Sequence, residues 1–337
     1  MSIQYQILGL PGRDNAMFVW VNSGTNFQRL LFDCGEGLLR QIRQPDIKAI
    51  DHLFFSHTHI DHIAGFDYFF RRNYDREGTP VYVWGPEKTS EIIHHRLLGF
   101  IWNLIGGAPG KWYVTDIGEK AMTSFSFKTS EGFELKHPEE TMDFNGIVLE
   151  TPGFVVKAAL LNHIIPSVAY RVEEKDSLNI SKDRLQNSGF PQGPWLEKLK
   201  DFSLDENEVI TLEGKDYILK DLRKELLIRT PGEKIAYLTD FIYDEVSRQR
   251  ALSLISNCDT VVCESQYSYH DEDLAKKNYH MTTHQTASLA KEANAKKLIL
   301  FHISERYSKE EDYPILLEEA RQIFPQTYFP EEWDIME

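Results

Sequence analysis

The first fifty residues alternate between apolar and polar positions with a period of two. The alternation runs through residues 3–8, 17–21 and 29–32, and glycine and asparagine separate the runs. Because side chains two positions apart on a strand point to the same face of a sheet, this period predicts three half-buried strands. The turn-forming residues between the runs predict that these strands form an antiparallel meander.

Beyond residue 50 the chain alternates between short apolar runs and helical spacing. The pattern next predicts a strand at residues 50–55, a helix at 65–72, a strand at 81–84 and a helix at 90–104. A second group of strands is predicted at residues 125–127, 133–137, 147–152, 155–162 and 167–172. Later elements are a strand at 234–239, a helix at 245–255, a strand at 260–264, a helix at 283–294, a strand at 297–302 and a closing helix at 313–324. These elements predict an α/β fold with two β-rich groups.

Residues 179–226 interrupt this pattern. Gly189, Pro191, Gly193 and Pro194 fall close together and are followed by mixed charge. Because glycine and proline in such a group interrupt regular elements, we interpret the segment as an inserted arm. It carries eight Lys or Arg residues against ten Asp or Glu residues. Attraction for the phosphates of RNA is therefore expected to be weak unless the charges segregate by face.

The composition is that of a globular protein. A content of 42% hydrophobic residues in a chain of 337 supports a well-buried core. Since no run approaches the roughly 18 apolar residues of a membrane span, we expect a soluble protein of the cytoplasm without membrane contact. The net charge of −15 argues against broad electrostatic attraction to nucleic acid, although it does not exclude a local basic patch.

A dense group of histidines follows the predicted strand at residues 50–55. In the segment His57-x-His59-x-Asp61-His62, alternate residues of an extended chain project to one side, so His57 and His59 can hold one ion. Asp61 and His62 then turn towards a second ion. Imidazole and carboxylate accept zinc, manganese or iron, and three scattered cysteines argue against a thiolate cluster. The alternative is a solvated loop that happens to carry four titratable residues.

Three further candidate ligands, His163, Asp240 and His302, each follow an apolar run directly. Residues at strand ends are held rigidly by the backbone, as a metal site requires. A structural role would explain any one of them equally well. Three together, in addition to the histidine group, favour a site for two metal ions.

The histidine segment resembles the signature of the metallo-β-lactamase superfamily, and the rest of the chain resembles its ribonuclease Z branch. The second resemblance is carried by residues 31–37 with Arg40 and Gln41, by His163 with residues 166–171, by residues 280–283 with 285–287, and by residues 298–307. It covers nearly the whole chain. The resemblance implies one domain over residues 1–337 with the four-layer αββα metallo-β-lactamase fold, in which residues 179–226 form the arm.

The resemblance also implies roles for single residues. One zinc ion would be held by His57, His59 and His163, the other by Asp61, His62 and His302, and both by Asp240 as a bridge. His280 would face the scissile phosphate and stabilise charge or protonate the leaving oxygen, unless it caps the helix that starts near residue 282. Glu264 ends a predicted strand and either orients His280 or is an ordinary strand-end carboxylate.

Two divalent ions close together activate a hydroxide and clamp the attacking and leaving oxygens of a phosphodiester. The resemblance therefore implies an endoribonuclease that hydrolyses tRNA precursors 3′ of the acceptor stem through a two-metal-activated hydroxide. From the chemistry of the ligand set we add the hypothesis that Asp61 accepts the proton of this hydroxide. An alternative is a hydrolase of another phosphodiester or of an ester, with a small substrate. A third interpretation is a catalytically silent binding protein that has kept the fold.

Three features bear on substrate and partners. Gly193 and Pro194 resemble the Gly-Pro motif with which the ribonuclease Z arm grips tRNA, although the insert would also suit a dimer contact or a lid. The loop at residues 11–15 is shorter than is usual in that branch. The resemblance implies a homodimer, and the apolar residues 97–105 fit either a dimer contact or buried core.

Overall fold

The alternating runs at the start of the chain form one edge of an eight-stranded sheet. The structure is a computed structural model that describes residues 2–22, 27–105 and 107–333. The strands of this first sheet are β1 (Ser2–Gly9), β2 (Asn15–Asn22), β3 (Phe27–Phe32), β4 (His52–Phe54), β5 (Val81–Pro86), β6 (Lys111–Ile117), β7 (Ala121–Lys128) and β8 (His137–Asp143). They lie side by side in chain order. Strands β3 to β6 are parallel, and the outer pairs are antiparallel, which confirms the predicted meander.

The later strands form a second large sheet and two small ribbons. They are β9 (Ile147–Glu150), β10 (Phe154–His163), β11 (Ile165–Glu174), β12 (Ser177–Ile180), β13 (Val209–Leu212), β14 (Lys215–Ile218), β15 (Leu227–Thr230), β16 (Lys234–Leu238), β17 (Thr260–Glu264), β18 (Lys297–Phe301) and β19 (Thr327–Tyr328). The second large sheet has the order β19-β18-β17-β16-β11-β10-β9. Strands β16 to β19 are parallel, whereas β9, β10, β11 and β16 pair antiparallel.

The helices are short. In chain order they are α1 (Gln44–Lys48), α2 (Ile60–Ile63), α3 (Phe66–Asn73), α4 (Thr89–Leu97), α5 (Lys182–Ser188), α6 (Trp195–Lys200), α7 (Leu219–Leu226), α8 (Glu245–Ile255), α9 (Glu272–Asn278), α10 (Thr283–Glu292) and α11 (Asp312–Arg321). Single 3-10 turns lie at Leu38–Gln41, Thr129–Glu131, Tyr269–Asp271 and Glu331–Trp333. Over the described part of the chain, none of the helices has the length and apolar character needed to cross a membrane.

The inner faces of the two large sheets pack against each other. Phe32 and Phe54 of the first sheet contact Tyr170 of the second at ring-centroid distances of 5.6 and 5.2 Å. Phe32 also contacts Tyr237 at 5.9 Å. All four rings are buried, and burial of each large apolar side chain contributes roughly 1.5–3 kcal/mol. The alternating pattern along the strands therefore builds one shared core.

Helices cover the outer faces of both sheets. On the first sheet, α3 packs Phe66, Phe69 and Phe70 around Trp112 of β6. These helix positions recur at i, i+3 and i+4, so they share one face. Helix α8 packs on β10 and β11, and α10 packs on β17 and β18. The result is the predicted four-layer αββα arrangement.

Lys175–Gly232 form a second compact unit, which contains the segment 179–226. Strand β12 pairs with β15 and β13 pairs with β14, both antiparallel. Helices α5, α6 and α7 accompany these ribbons, and leucines such as Leu199 and Leu222 form the core of the unit. Ser181 starts α5 by accepting a hydrogen bond from Arg184 N.

The strand predicted at residues 133–137 is wrong. Phe133 has φ 59° and lies in a turn, and the strand begins only at His137. The Phe133 ring packs against Phe70 and Trp102 at 5.4 and 5.0 Å. The apolar signal at this position therefore comes from one anchored side chain rather than from a half-buried strand.

The helix predicted over residues 90–104 is too long. Helix α4 ends at Leu97, whose carbonyl accepts a hydrogen bond from Trp102 Nε1 at 2.9 Å. The indole thus satisfies a carbonyl that another helical turn would have satisfied. Beyond it, Ile101 and Leu104 are 88% and 90% exposed. Buried core is therefore the wrong explanation for this part of the segment 97–105.

Candidate active site

Four strand ends bring predicted ligands to one region of the larger compact unit, which lies outside Lys175–Gly232. His57 follows β4, His163 ends β10, Asp240 follows β16 and His302 follows β18. Asp240 and His302 both have φ 53°. Non-glycine residues rarely adopt this left-handed conformation, which costs about 1–3 kcal/mol and recurs at functional sites.

Helix α2 of the histidine segment is held by a close backbone contact. Cys34 N donates to His62 O, and Gly65 N donates to Cys34 O, each at 2.8 Å. A Cβ added at Gly65 would lie 2.2 Å from Gly35 O. Only glycine therefore permits the approach that fixes this turn.

The seven predicted ligands converge around Asp240 in overlapping groups, and two of these groups match the predicted ligand sets. The ligand atoms of the first group lie within 4.8 Å of one another and belong to His57, His59 and His163. Those of the second group meet the same limit and belong to Asp61, His62 and His302. Asp240 Oδ2 is 3.0 Å from His62 Nε2, and Asp240 Oδ1 is 3.9 Å from His163 Nε2. Each group offers the imidazole and carboxylate atoms that borderline divalent ions bind.

One buried nitrogen of the first group has no hydrogen-bond partner among the described residues. His57 is fully buried; its Nδ1 lies 3.1 Å from Ser56 Oγ, whereas its Nε2 is unpartnered. Burial lowers the pKa of His57 well below its usual value, and the neighbouring His62 lowers it further, so the ring is neutral at pH 7. A neutral, unpartnered imidazole nitrogen close to Asp240 has the chemistry that a metal ligand requires. The residues present fit divalent metal ions.

Asp33 contacts His62, a member of the second group, on the Nδ1 side of its ring. Asp33 Oδ2 is 2.8 Å from His62 Nδ1 and accepts hydrogen bonds from Tyr237 OH at 2.9 Å and Ser56 Oγ at 2.7 Å. With Nδ1 held in this way, the Nε2 atom of His62 faces Asp240. Burial lowers the pKa of His62, but Asp240 and Asp33 together raise it well above its usual value. The carboxylates therefore favour positive charge at this ring, which a divalent ion supplies as well as a proton.

Two more rings are fixed through Nδ1. His163 Nδ1 lies 2.9 Å from the carbonyl oxygen of Tyr279, and His302 Nδ1 lies 3.2 Å from Gln266 Nε2. Such contacts orient the opposite nitrogen of each ring. Asp33, Tyr237 and Gln266 have no role in the prediction from sequence. Asp33 nevertheless directly follows the apolar residues of β3, which is the same signal that pointed to Asp240.

His280 lies beside the cluster and pairs with Glu264. His280 Nδ1 is 2.9 Å from Glu264 Oε2 and 3.5 Å from Asp240 Oδ1. Glu264 is fully buried, and its Oε1 accepts a hydrogen bond from Phe241 N at 2.7 Å. Burial lowers the pKa of His280, but Glu264 and Asp240 outweigh this effect and raise it to about 9. These two carboxylates therefore favour the protonated form of the imidazole.

Helix α10 has its own cap, so the alternative role considered for His280 is wrong. Thr282 accepts a hydrogen bond from Gln285 N at 3.3 Å, and the Gln285 side chain accepts one from Thr282 N at 3.0 Å. This reciprocal pair is a capping box. His280 is therefore not needed to start the helix.

An open cavity of about 350 Å³ lies against the second group and includes Asp61 and His302 in its lining. Arg13 and Asp14 of the short N-terminal loop also line it. Asp14 Oδ2 accepts a hydrogen bond from Glu36 N. The Asp61 side chain is 43% exposed, so the second group is open to solvent on this side. Gly193 and Pro194 belong to the second compact unit, where Pro194 precedes α6.

Known proteins are similar to this chain in sequence and in fold. The family described as the beta-lactamase superfamily domain matches residues 28–156. Ribonuclease Z of Deinococcus radiodurans is 39% identical over 97% of this chain and 97% of its own length. Ribonuclease Z of Enterococcus faecalis is 31% identical over 91% of this chain and 86% of its own. These likenesses extend over most of the chain, well beyond the histidine segment.

Solved structures show the same fold. The human tRNase Z, short form, has a TM-score of 0.52 at 20% identity and covers 92% of this chain and 95% of its own. The metallo-beta-lactamase fold protein YhfI of Bacillus subtilis has a TM-score of 0.57 at 13% identity, with 98% and 96% covered. Fold and sequence thus define a metal-dependent hydrolase of the metallo-β-lactamase superfamily. Within that superfamily, the chain belongs to the ribonuclease Z family.

Proposed function

We propose that this protein is an endoribonuclease that cleaves tRNA precursors 3′ of the acceptor stem. The observation that carries the proposal is the His280–Glu264 pair at the edge of the seven-residue cluster. It occurs in a chain 39% identical to a curated ribonuclease Z. A protonated imidazole beside carboxylate and imidazole ligands suits cleavage of a phosphodiester, because that reaction needs both charge neutralisation and protonation of a leaving oxygen.

We assign one ion to His57, His59 and His163, the second to Asp61, His62 and His302, and Asp240 to both. The two oxygens of Asp240 support this sharing, since Oδ2 faces His62 and Oδ1 faces His163. Two bound ions would activate a water molecule for attack and would neutralise charge on the phosphate. Zinc is our first choice because imidazoles outnumber carboxylates among the seven assigned ligands. Elemental analysis of the purified protein separates zinc from manganese and iron.

Asp61 accepts a proton during attack and His280 supplies one to the leaving 3′ oxygen. Burial raises the pKa of Asp61, but the neighbouring imidazoles of His302 and His62 lower it well below its usual value, so the carboxylate is ionised at neutral pH. Glu264 acts as a positioning residue, since it holds the Nδ1 side of His280 and leaves Nε2 for the substrate. Full turnover by Asp61→Ala with normal metal content would remove Asp61 from this scheme.

We propose that residues 179–226 form a substrate-binding arm through Gly193 and Pro194. Pro194 is exposed and starts α6. The rings of Phe190 and Trp195, which flank the motif in the chain, contact each other at 5.9 Å. Arm lysines such as Lys198 lie in ion pairs with arm carboxylates. This arrangement supports contact through shape and apolar surface rather than through charge.

The decisive experiment compares a tRNA bearing a 3′ trailer with bis(p-nitrophenyl) phosphate, using zinc- or manganese-loaded protein with the arm intact or residues 179–226 shortened. We expect site-specific removal of the trailer, and a lower ratio of tRNA cleavage to small-substrate hydrolysis when the arm is shortened. Hydrolysis of bis(p-nitrophenyl) phosphate without tRNA cleavage would favour the second candidate, a hydrolase of another phosphodiester or ester. The short N-terminal loop and the acidic arm are the features that favour this candidate.

We also propose a homodimer that uses the exposed apolar segment after α4. Leu98 and Phe100 are 42% and 44% exposed, and Ile101 and Leu104 are far more exposed. Such a contiguous apolar surface is typical of a contact site. Light scattering tests the proposal: Ile101→Glu should convert a dimer into a monomer, whereas Ile315→Glu, on the exposed side of α11, should not. A wild-type monomer would contradict it.

We assign the protein to the cytoplasm. Cys34, Cys258 and Cys263 are free and buried, and reduced thiols are typical of cytoplasmic proteins. Burial raises the pKa of Cys258 to about 11, so this thiol is unreactive at neutral pH. Fractionation of cells that produce the protein tests the assignment, and recovery outside the cytoplasm would contradict it.

A further inference from the structure

A second cavity, of about 510 Å³, lies beside helix α8 and outside the metal-binding cluster. Three cationic side chains line it, Lys157 of β10, Arg171 of β11 and Arg250 of α8. The chain as a whole carries a net charge of −15. A cavity walled by three cations is therefore a local exception to the acidic character of the protein, and local positive charge of this kind is what an anionic ligand recognises.

The strand register places two of these cations directly against each other. Lys157 pairs with Arg171 across the antiparallel β10–β11 pair, and like charges at directly opposite positions are destabilising. One carboxylate compensates for them: Glu173 accepts from Lys157 Nζ at 2.9 Å and from Arg171 Nη2 at 2.7 Å. Lys234 Nζ lies 3.7 Å from the same carboxylate. Three cations thus share Glu173.

The pKa of Glu173 reflects this excess of positive charge. Burial raises it, but Lys157, Arg171 and Lys234 together lower it below its usual value. Arg171 is nine-tenths buried, and its Nη1 also donates to Leu254 O at 2.7 Å. Its guanidinium is therefore held in place at the cavity wall before any ligand arrives, which reduces the entropy lost on binding.

Arg250 stands on the side of the cavity nearer to the cluster. Its Nη1 donates to Leu160 O at 2.9 Å, three residues before His163. A strand rises about 3.3 Å per residue, so Leu160 lies about 10 Å and Lys157 about 20 Å along β10 from His163. Arg250 also pairs with Glu119, whose side chain is 62% exposed. An ion pair this exposed contributes about 0–1 kcal/mol, so a phosphate can replace the carboxylate.

We propose that this cavity binds backbone phosphates of the RNA strand that flanks the cleaved bond. The inference rests on the proposed function and extends it, since it adds an electrostatic contact that the acidic arm does not offer. Ala159 leaves room on the face of β10 that carries Lys157, and Ser253 and Asn145 add neutral hydrogen-bonding groups. An RNA strand that runs along β10 away from the metal-binding residues would meet Arg250 first and Lys157 second.

The test uses the double variant Lys157→Met with Arg250→Gln. A matched control is Lys128→Met with Arg96→Gln, because these residues also form half-exposed ion pairs, with Glu131 and Asp67 respectively. The kcat/KM for trailer-bearing tRNA and for bis(p-nitrophenyl) phosphate is measured over a range of KCl concentrations. Each cation that no longer neutralises a phosphate of single-stranded RNA lowers the log–log salt slope by about 0.7.

In the cavity variant, we expect the slope of log kcat/KM for tRNA against log KCl concentration to be smaller by about 1 to 1.5. At low salt, the ratio of kcat/KM for tRNA to kcat/KM for the small substrate should be about tenfold lower. The control should match the wild type in both. Arg250→Gln alone, which leaves the Lys157–Arg171 strand pair intact, should show about half the slope change and covers the case in which the double variant does not fold. A cavity variant with the slope and ratio of the control would overturn the proposal.

Binding is also measured directly, by fluorescence anisotropy of labelled trailer RNA in a His280→Ala background. If the cavity variant and the control variant bind the RNA with equal affinity, the cavity does not bind RNA, whether or not the wild type cleaves tRNA. Cavity-dependent RNA binding without tRNA cleavage by the wild type contradicts only the proposed function. Stabilisation of the wild type alone by inorganic phosphate, with equal RNA binding in all variants, would assign the cavity to a free anion and overturn the RNA proposal.

Discussion

The two ends of strand β4 carry buried histidines of opposite character. His52, at its start, stacks on Tyr82 at a centroid distance of 5.0 Å, and its Nδ1 accepts a hydrogen bond from Trp84 Nε1 at 3.2 Å. His57, after its end, is equally buried, but its Nε2 has no partner in the described part of the chain. Burial lowers the pKa of both rings. Burial alone therefore does not distinguish a ligand from a core residue. The two rings differ in their surroundings, since His52 lies among aromatic side chains whereas His57 lies among predicted ligands.

The largest expected effect comes from His57→Ala. This change removes a ligand atom of the first group, so divalent-metal content should fall. Hydrolysis of bis(p-nitrophenyl) phosphate should fall more than about 100-fold, because even residues that only orient ligands contribute about 10–100-fold. Elemental analysis and initial rates measure both. The control is His52→Gln, which should keep wild-type metal content and rate. Equal losses in the two variants would contradict the assignment of His57 as a metal ligand and of His52 as a core residue.

Asp33→Asn should lower metal affinity by about 10–100-fold, because the amide holds His62 Nδ1 less firmly than the carboxylate does. Competition with a chelator measures the affinity. Asp46→Asn is the matched control, since Asp46 is also buried and accepts hydrogen bonds from Arg29 and Arg43. The control should leave metal affinity unchanged. Wild-type affinity in Asp33→Asn would show that Asp33 does not position the ligand.

The stability of the folded protein should fall at low pH because His52 is buried as a neutral ring. Burial lowers the pKa of His52 to about 3, against an ordinary value of 6.5. Above pH 6.5 both folded and unfolded chains hold the ring neutral; as pH falls below 6.5, only the unfolded chain gains the proton, so stability falls. By about pH 5 this loss is about 2 kcal/mol. Denaturant unfolding measures the free energy of unfolding at each pH. Between neutral pH and about pH 5, this free energy should fall by about 2 kcal/mol more in the wild type than in His52→Gln. An equal fall in both proteins would contradict the prediction.

Tyr237→Phe should give the smallest effect. It removes one hydrogen bond to Asp33, while Ser56 still holds that carboxylate. The net contribution of such a bond is about 0.5–1.5 kcal/mol, so metal affinity should fall less than about tenfold. The same chelator competition measures it. A loss as large as that of Asp33→Asn would mean that the hydroxyl, rather than the carboxylate, sets the position of His62.

Much of the fold follows from local pattern where the elements carry clear boundary signals. Helix α8 and strand β17 occupy the predicted residues 245–255 and 260–264, and Asp244 caps the helix by accepting from Ser247 N. Strand β6 was not predicted, although Trp112 fills the core beneath α3. The turn at Phe133 and the early end of α4 depend on contacts with Trp102, which are tertiary and leave no local period.

For the site, the prediction rested on position as well as residue type. His163, Asp240 and His302 all follow apolar strands, and the structure brings them to the histidine segment. Tyr237 lies within such a strand, so its contact with Asp33 across the two sheets has no local signal. Likewise, the cavity at Lys157 depends on a cross-strand register that is visible only in the folded chain.

The most direct test of the central claim is anomalous X-ray diffraction from crystals of the protein, collected at the absorption edge of the metal that elemental analysis identifies. We expect two divalent ions in each chain, one bounded by His57 and His163, the other by His62 and His302, with Asp240 between them. A protein that hydrolyses phosphodiesters with no ion at these residues would contradict the claim.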